Sequence, residues 1–306
     1  MTTTNCKTVS GAIRSRTIWK RLPHVFMSLL VLFMAAALLT GCKKGSADWK
    51  KGVSSLNDGD YKEAVKHFKD SAKKGNADAQ MMLAFCYMSG MGVDEPDKDK
   101  AEAQLRKAAK TEDPIAMAAY GLYLYGNAQS SYDPDEDEVN DALKYIKKSA
   151  DQDCVFGQLA LAFIYLDEKD EEKRVKGVKY LKKVADLPLK KKKIFLDDVK
   201  SGIWEYILEE EPGVKRELGP IAKALTDILE ADELTITDIA IIGSQVALCA
   251  VYEEGRGVEK DYDKAKKWLN KAKKNGLPKA LAEEIQEDLE EHKERERRSS
   301  YDYYDD

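Results

Sequence analysis

The feature that most constrains this chain is a recurring trio: a small residue, a large apolar residue four positions on, and a second small residue four further. It occurs as Ala64, Phe68, Ala72; as Ala101, Leu105, Ala109; as Ala142, Ile146, Ala150; as Gly177, Leu181, Ala185; and as Ala265, Leu269, with Lys273 in the last place. Positions i, i+4 and i+8 share one face of an α-helix. Small residues at its ends let a neighbouring helix approach closely. Successive trios begin 37, 41, 35 and then 88 residues apart, and the last interval has room for two units. A degenerate copy is therefore expected between Gly177 and Ala265, with Ile221, Leu225 and Leu229 as its second helix.

A partner helix precedes most trios. Its marker is a tyrosine after an Ala- and Leu-rich stretch: Tyr87, Tyr123, Tyr165 and Tyr252. Leu83, Ala119, Leu161 and Leu248 each stand four before it. Gly90, Gly126 and Gly255 stand three after it, where glycine suits a left-handed helix end; the third copy has Glu168. The second helix often opens on an aspartate. Asp60 with Glu63, and Asp99 with Glu102, are close to a capping box, and Asp261 is a simpler N-cap.

At this point the chain resembles a known family. Tyr252-Glu-Glu-Gly255-Arg-Gly257-Val258, leading through Asp261-Tyr262 to Ala265, looks like the Sel-one-like repeat, a relative of the tetratricopeptide repeat. Tyr87-Met-Ser-Gly90-Met-Gly92-Val93, leading to Ala101, is a second clear copy, while the Ala142 and Gly177 copies have altered loops. The first unit, joined by Gly59-Asp60-Tyr61, is nearer the plain tetratricopeptide form. The resemblance covers residues 47–276, with 188–236 degenerate. It implies an all-α fold, a right-handed α-solenoid of stacked helical hairpins with an extended concave surface. Leu277, Leu281, Ile285 and Leu289 form one stripe, so residues 277–298 are expected to be a capping helix with a charged end. Residues 299–306 read as a disordered acidic tail.

Ahead of the array the chain reads as an export signal. The first 41 residues hold five basic residues and no acidic one, and an apolar run extends from Val25 to Leu39. A positive start and a short apolar stretch make a secretory signal peptide. The run ends in Leu39-Thr40-Gly41-Cys42, which resembles the bacterial lipobox. That resemblance implies removal of residues 1–41, diacylglycerol on the Cys42 sulfur and an acylated new amino terminus. Residues 42–46 would be the lipidated tether. Lys43 follows the cysteine; by the enteric sorting rule this favours the outer membrane of a bacterial cell envelope.

Enzyme signatures are missing from the remainder. Its two histidines, His67 and His292, lie far apart in charged surroundings and read as exposed helix residues. Gly90-x-Gly92 and Gly255-x-Gly257 lack the Lys-Ser/Thr ending and preceding strand of a phosphate loop, so they read as turns. Asp133, Asp135 and Asp137 alternate like a calcium loop, but Glu138 and Lys144 occupy its glycine and glutamate positions. Cys86 and Cys249 read as buried small hydrophobes, and with Cys154 they leave an odd number of thiols. No catalytic residue, cofactor or metal is expected. The residues after position 41 carry 45 basic against 55 acidic side chains, which argues against nucleic acid even with the run Lys190 to Lys193.

The expected function is a membrane-anchored scaffold or adaptor that binds protein or peptide partners, with Cys42 as the anchor. Gln80, Gln158 and Gln245, each seven before a marker tyrosine, are the groove candidates. The alternatives are a structural lipoprotein without a dedicated ligand and an envelope enzyme acting on peptidoglycan or β-lactams.

Overall fold

The computed structural model describes residues 47–129, 135–189 and 235–301. Among them are eleven α-helices and no strand: α1 Ala47–Asn57, α2 Tyr61–Lys73, α3 Ala77–Ser89, α4 Lys98–Ala109, α5 Pro114–Gln129, α6 Glu136–Asp151, α7 Val155–Asp167, α8 Glu171–Ala185, α9 Ile236–Glu254, α10 Tyr262–Asn275 and α11 Lys279–Tyr301. Consecutive helices pack on one another from α1 to α6 and again from α8 to α11, as the trios require. The degenerate copy around Ile221, Leu225 and Leu229, the Cys42 motif and Lys190 to Lys193 lie outside the described residues.

One compact unit runs through Leu161. Its first core joins Trp49 and Leu56 of α1, Ala64 and Phe68 of α2, and Met82, Leu83 and Phe85 of α3. A Cβ on Gly52 would meet the Phe68 ring at 2.6 Å, so this glycine is what lets α1 reach α2. A second core gathers Met81 and Ala84 of α3, Ala101, Leu105 and Ala108 of α4, and Met117 and Tyr120 of α5. The Ala142 trio is fully buried, and a Cβ on Gly121 would stand 2.6 Å from Ile146. Each large side chain removed from water here contributes about 1.5–3 kcal/mol.

The other unit holds residues 162–189 and 235–301. Leu181, Val184 and Ala185 of α8 and Ile241, Ile242, Leu248 and Val251 of α9 are buried with Leu269 and Ala272 of α10. Gly177 admits the α7 backbone: its Cβ would stand 2.8 Å from the Ala162 carbonyl oxygen. The capping stripe is seated at Leu277, Ile285 and Leu289. Leu277 precedes α11, and its amide donates to Ala272 O at 3.0 Å.

The helix ends follow local chemistry, with three departures from expectation. Asp60 and Asp261 cap α2 and α10 by accepting the amides of Glu63 and Lys264. Glu63 does not complete a box at Asp60, because its carboxylate binds Lys66 at 2.9 Å and His67 at 3.3 Å. Asp97, not Asp99, caps α4, since the loop amide of Asp97 is fixed by Tyr87 O at 2.7 Å. Gly90 and Gly255 are left-handed helix ends as expected. Gly126 is not; α5 continues to Gln129. A complete capping box occurs at Thr235 and Asp238, opening α9.

Candidate interaction surfaces

The loop between first and second helix is built alike in the two clear copies. Tyr87 O and Tyr252 O accept the amides of Asp97 and Asp261, at 2.7 and 2.8 Å. Each aspartate caps the following helix and also binds a lysine one turn on, Lys100 at 2.7 Å and Lys264 at 3.0 Å. Asp97 is held below the usual carboxylate range first by the Lys100 ammonium, and Asp261 first by the Lys264 amide. Both tyrosine rings lie between two ammonium groups. Tyr87 has Lys69 and Lys100 at 5.8 Å, and Tyr252 has Lys182 at 5.3 Å and Lys264 at 5.5 Å. One lysine of each pair comes from the preceding hairpin, so the tyrosine joins neighbours by cation–π attraction.

The glutamines expected to line a groove are inside the packing. Gln80, Gln158 and Gln245 are 6%, 1% and 0% exposed. Gln80 Nε2 donates to Ala72 O at 3.3 Å, and Gln245 Nε2 donates to Ala185 O at 2.9 Å. Both acceptors lie at the ends of preceding second helices. Asn275 Nδ2 donates in turn to Gln245 Oε1 at 3.0 Å, and Gln158 Nε2 donates to Asp153 Oδ1 at 3.3 Å. Gln80 and Gln245 latch helix to helix and Gln158 ties its helix to the preceding turn; none is presented to a ligand, which corrects the groove assignment. A buried amide left unbonded would cost about 1–3 kcal/mol, so their contacts are structural requirements.

The reactive side chains are similarly engaged. Cys86, Cys154 and Cys249 are free and buried. Burial pushes the Cys86 and Cys249 thiols up to about 12, which suppresses the nucleophilic thiolate. The histidines are half-buried rather than exposed, because each packs against a glutamate: His67 on Glu63 and His292 Nδ1 on Glu253. Among the described residues no group of three or more His, Cys, Asp or Glu side chains is placed to hold a metal ion. Asp133 lies outside them. Asp135 caps α6, with Asp137 and Glu138 in its first turn, where the helix dipole favours acids.

Two recesses stand out. A cleft of about 750 Å³ opens between the α9–α10 loop and α11, lined by Glu253, Arg256, Lys260, His292, Arg295 and Glu296. Lys260 pairs with Glu296 across it and holds that carboxylate below its ordinary range. A notch of about 430 Å³ lies where α2 gives way to α3 and α4 to α5, lined by Lys74, Asn76, Asp78, Thr111, Glu112 and Asp113. Desolvation, and secondarily the Asp113 charge, push the Asp78 carboxyl up to about 6.

A third surface is nearly free of charge. α3 carries one charged residue, Asp78, and α5 none. Met88 on α3 and Tyr123 and Leu124 on α5 lie half-buried over one core. Tyr123 is fixed by donating to Lys98 O at 3.2 Å. No signal in the sequence singled out Met88 or Leu124.

The hairpins define an α-helical repeat array. Sel1 repeats match at residues 52–76, 77–110, 114–154, 155–188 and 243–277, more than half of the chain. The chain belongs to the Sel1 repeat family, whose members generally mediate protein–protein interactions. Among solved structures, a Sel1 repeat protein from Oxalobacter formigenes is 16% identical, covering 78% of this chain and 86% of that one with a TM-score of 0.38. The protective antigen c5321 of uropathogenic Escherichia coli, which displays an SLR fold, is 19% identical with a TM-score of 0.37; the match covers 83% of this chain and 58% of that one. No curated protein matches significantly.

Proposed function

We propose that this protein is a non-enzymatic scaffold of the bacterial cell envelope, anchored through lipid on Cys42 and presenting its first helices to a protein partner. The observation that carries the binding role is the half-buried Met88, Tyr123 and Leu124 surface on nearly uncharged helices. Methionine and aromatic side chains with few neighbouring charges suit the desolvated centre of a protein interface. The anchor rests on the Leu39-Thr40-Gly41-Cys42 motif after a short apolar run. Two or more acyl chains hold firmly where one would not. By the residue after the cysteine, Lys43, the outer membrane is the expected site.

The test is labelled palmitate feeding combined with affinity recovery from detergent-solubilised membranes, comparing wild type with Cys42→Ala. The reading predicts label on wild type only, and a co-purifying protein that is lost from Leu124→Glu. Label persisting on Cys42→Ala contradicts the anchor; recovery of the bait alone contradicts the scaffold.

A further inference from the structure

Two helices of the C-terminal unit carry the largest excess of basic residues among the described helices. α8 carries six basic residues and two acidic ones, and α10 six and one. α6, the second helix of the preceding hairpin, has three basic against five acidic. α8 and α10 lie side by side. Lys182 and Lys264 stand over the same Tyr252 ring, and Lys271 binds Asp186, the C-cap of α8, at 2.6 Å.

On α8 the core side is Gly177, Val178, Leu181, Val184 and Ala185. Lys176, Lys179 and Lys183 are exposed, and their spacing of three and four places them together on the opposite face. Lys267 and Lys274 are exposed on α10, in the same row as Lys271. The bordering acids are Glu172, Asp186 and Asp263; Asp186 is taken by Lys271 and Asp263 by Lys293 at 3.5 Å.

Apolar groups punctuate this basic face. Val175 and Leu187, 37% and 36% exposed, are the exposed large hydrophobics among the described residues. Val175 lies on α8, and Leu187 follows it, four after Lys183. Trp268 on α10 is half-buried, with the Lys271 ammonium 4.7 Å from its ring centroid. A merely solvated lysine face gains nothing from an exposed Val and Leu beside a half-buried Trp. A face lying in a lipid interface uses both kinds, because lysines meet phosphates while apolar and indole groups enter the headgroup boundary.

We propose that the α8–α10 face docks on an anionic phospholipid surface. The proposal rests on the anchored reading and deepens it: the lipid on Cys42 supplies the bilayer, and this face orients the C-terminal unit on it.

The test uses full-length lipidated protein reconstituted in vesicles of phosphatidylcholine alone or with phosphatidylglycerol. Lysine acetylation is then read by mass spectrometry. Lys176, Lys179, Lys183 and Lys267 are expected to react about fivefold or more slowly on the anionic vesicles at low salt. High salt should restore their rates, because the contacts are screened. Lys66 and Lys107, on the other unit, should not change. Triple replacement Lys176→Glu, Lys179→Glu, Lys183→Glu should abolish the slowing at Lys267. Equal rates on both vesicles overturn the proposal. Slowing by soluble polyglutamate but not by anionic vesicles also overturns it and assigns the face to an acidic polypeptide. Intact mass reads the anchor separately: a protein without acyl groups on Cys42 sinks the anchored reading, while added vesicles still decide the face.

Discussion

A Cβ built on Gly92 would stand 2.2 Å from the carbonyl oxygen of Tyr61, in the first turn of α2. The loop of one hairpin thus rests on the backbone of the hairpin before it. Gly257 repeats the relation, with its Cβ 2.7 Å from the Arg174 carbonyl carbon at the start of α8, and both glycines have φ +68. The second glycine of each Gly-x-Gly is a stacking contact as well as a turn.

Replacing Gly92 with alanine combines left-handed strain with a backbone overlap that no rotamer change relieves. We expect a loss of about 3 kcal/mol or more in urea unfolding. Gly59 has φ +77 and open space around it, so Gly59→Ala isolates the strain. It should cost about 1–2 kcal/mol. Equal losses at the two positions would contradict the docking role.

Gln245→Leu removes the buried donor to Ala185 O of the neighbouring α8 and the part-buried acceptor of Asn275 on α10. A destabilisation of about 2–3 kcal/mol is expected. Asn275→Ala should cost less, since it leaves the Ala185 bond intact. A neutral Gln245→Leu in thermal unfolding would show that these hydrogen bonds add no net stability.

Glu112 has φ +60, a left-handed conformation taken by a residue other than glycine. Gly75 and Gly276 take the corresponding conformation after α2 and α10. Glu112→Gly should therefore raise stability by about 0.5–1 kcal/mol. An unchanged or lowered unfolding midpoint would show that this backbone is unstrained.

Asp78 gives a pH signature. Its folded value, about 6, lies above the ordinary 3.8, because burial and Asp113 oppose its charge. The folded state therefore binds the proton more tightly than the unfolded state. That stabilising contribution is present below about pH 4 and is lost as pH rises through about 6. Asp78→Asn should match wild type at about pH 4 and be more stable by about 1–2 kcal/mol at about pH 8. A variant advantage that does not grow between those pH values would refute the shift.

How much was legible in the sequence follows from helix patterning. The second helices are amphipathic, so their trios Ala101-Leu105-Ala109 and Ala142-Ile146-Ala150 locate the buried face directly. The first helices are buried on most sides: Ala79 through Cys86 in α3 are all covered. With no polar face the period disappears, and the facing of Gln80 and Gln245 could not be read. Local sequence favours Asp99 over Asp97 as the cap, because Asp99 is followed by Glu102 three residues on and Asp97 by Lys100. What decides between them is the hydrogen bond of the Asp97 amide to Tyr87 O. The His292–Glu253 contact joins residues 39 apart through the packing of α11, which no local spacing encodes.

The scaffold reading is tested most directly by a photo-crosslinking residue placed, one at a time, at Met88, Leu124 and Lys147 of the full-length protein in its native membranes. Lys147 lies on the exposed side of α6. The account predicts a discrete crosslinked protein from Met88 and Leu124 and none from Lys147. Crosslinking absent from all three, or equal at Lys147, would contradict it.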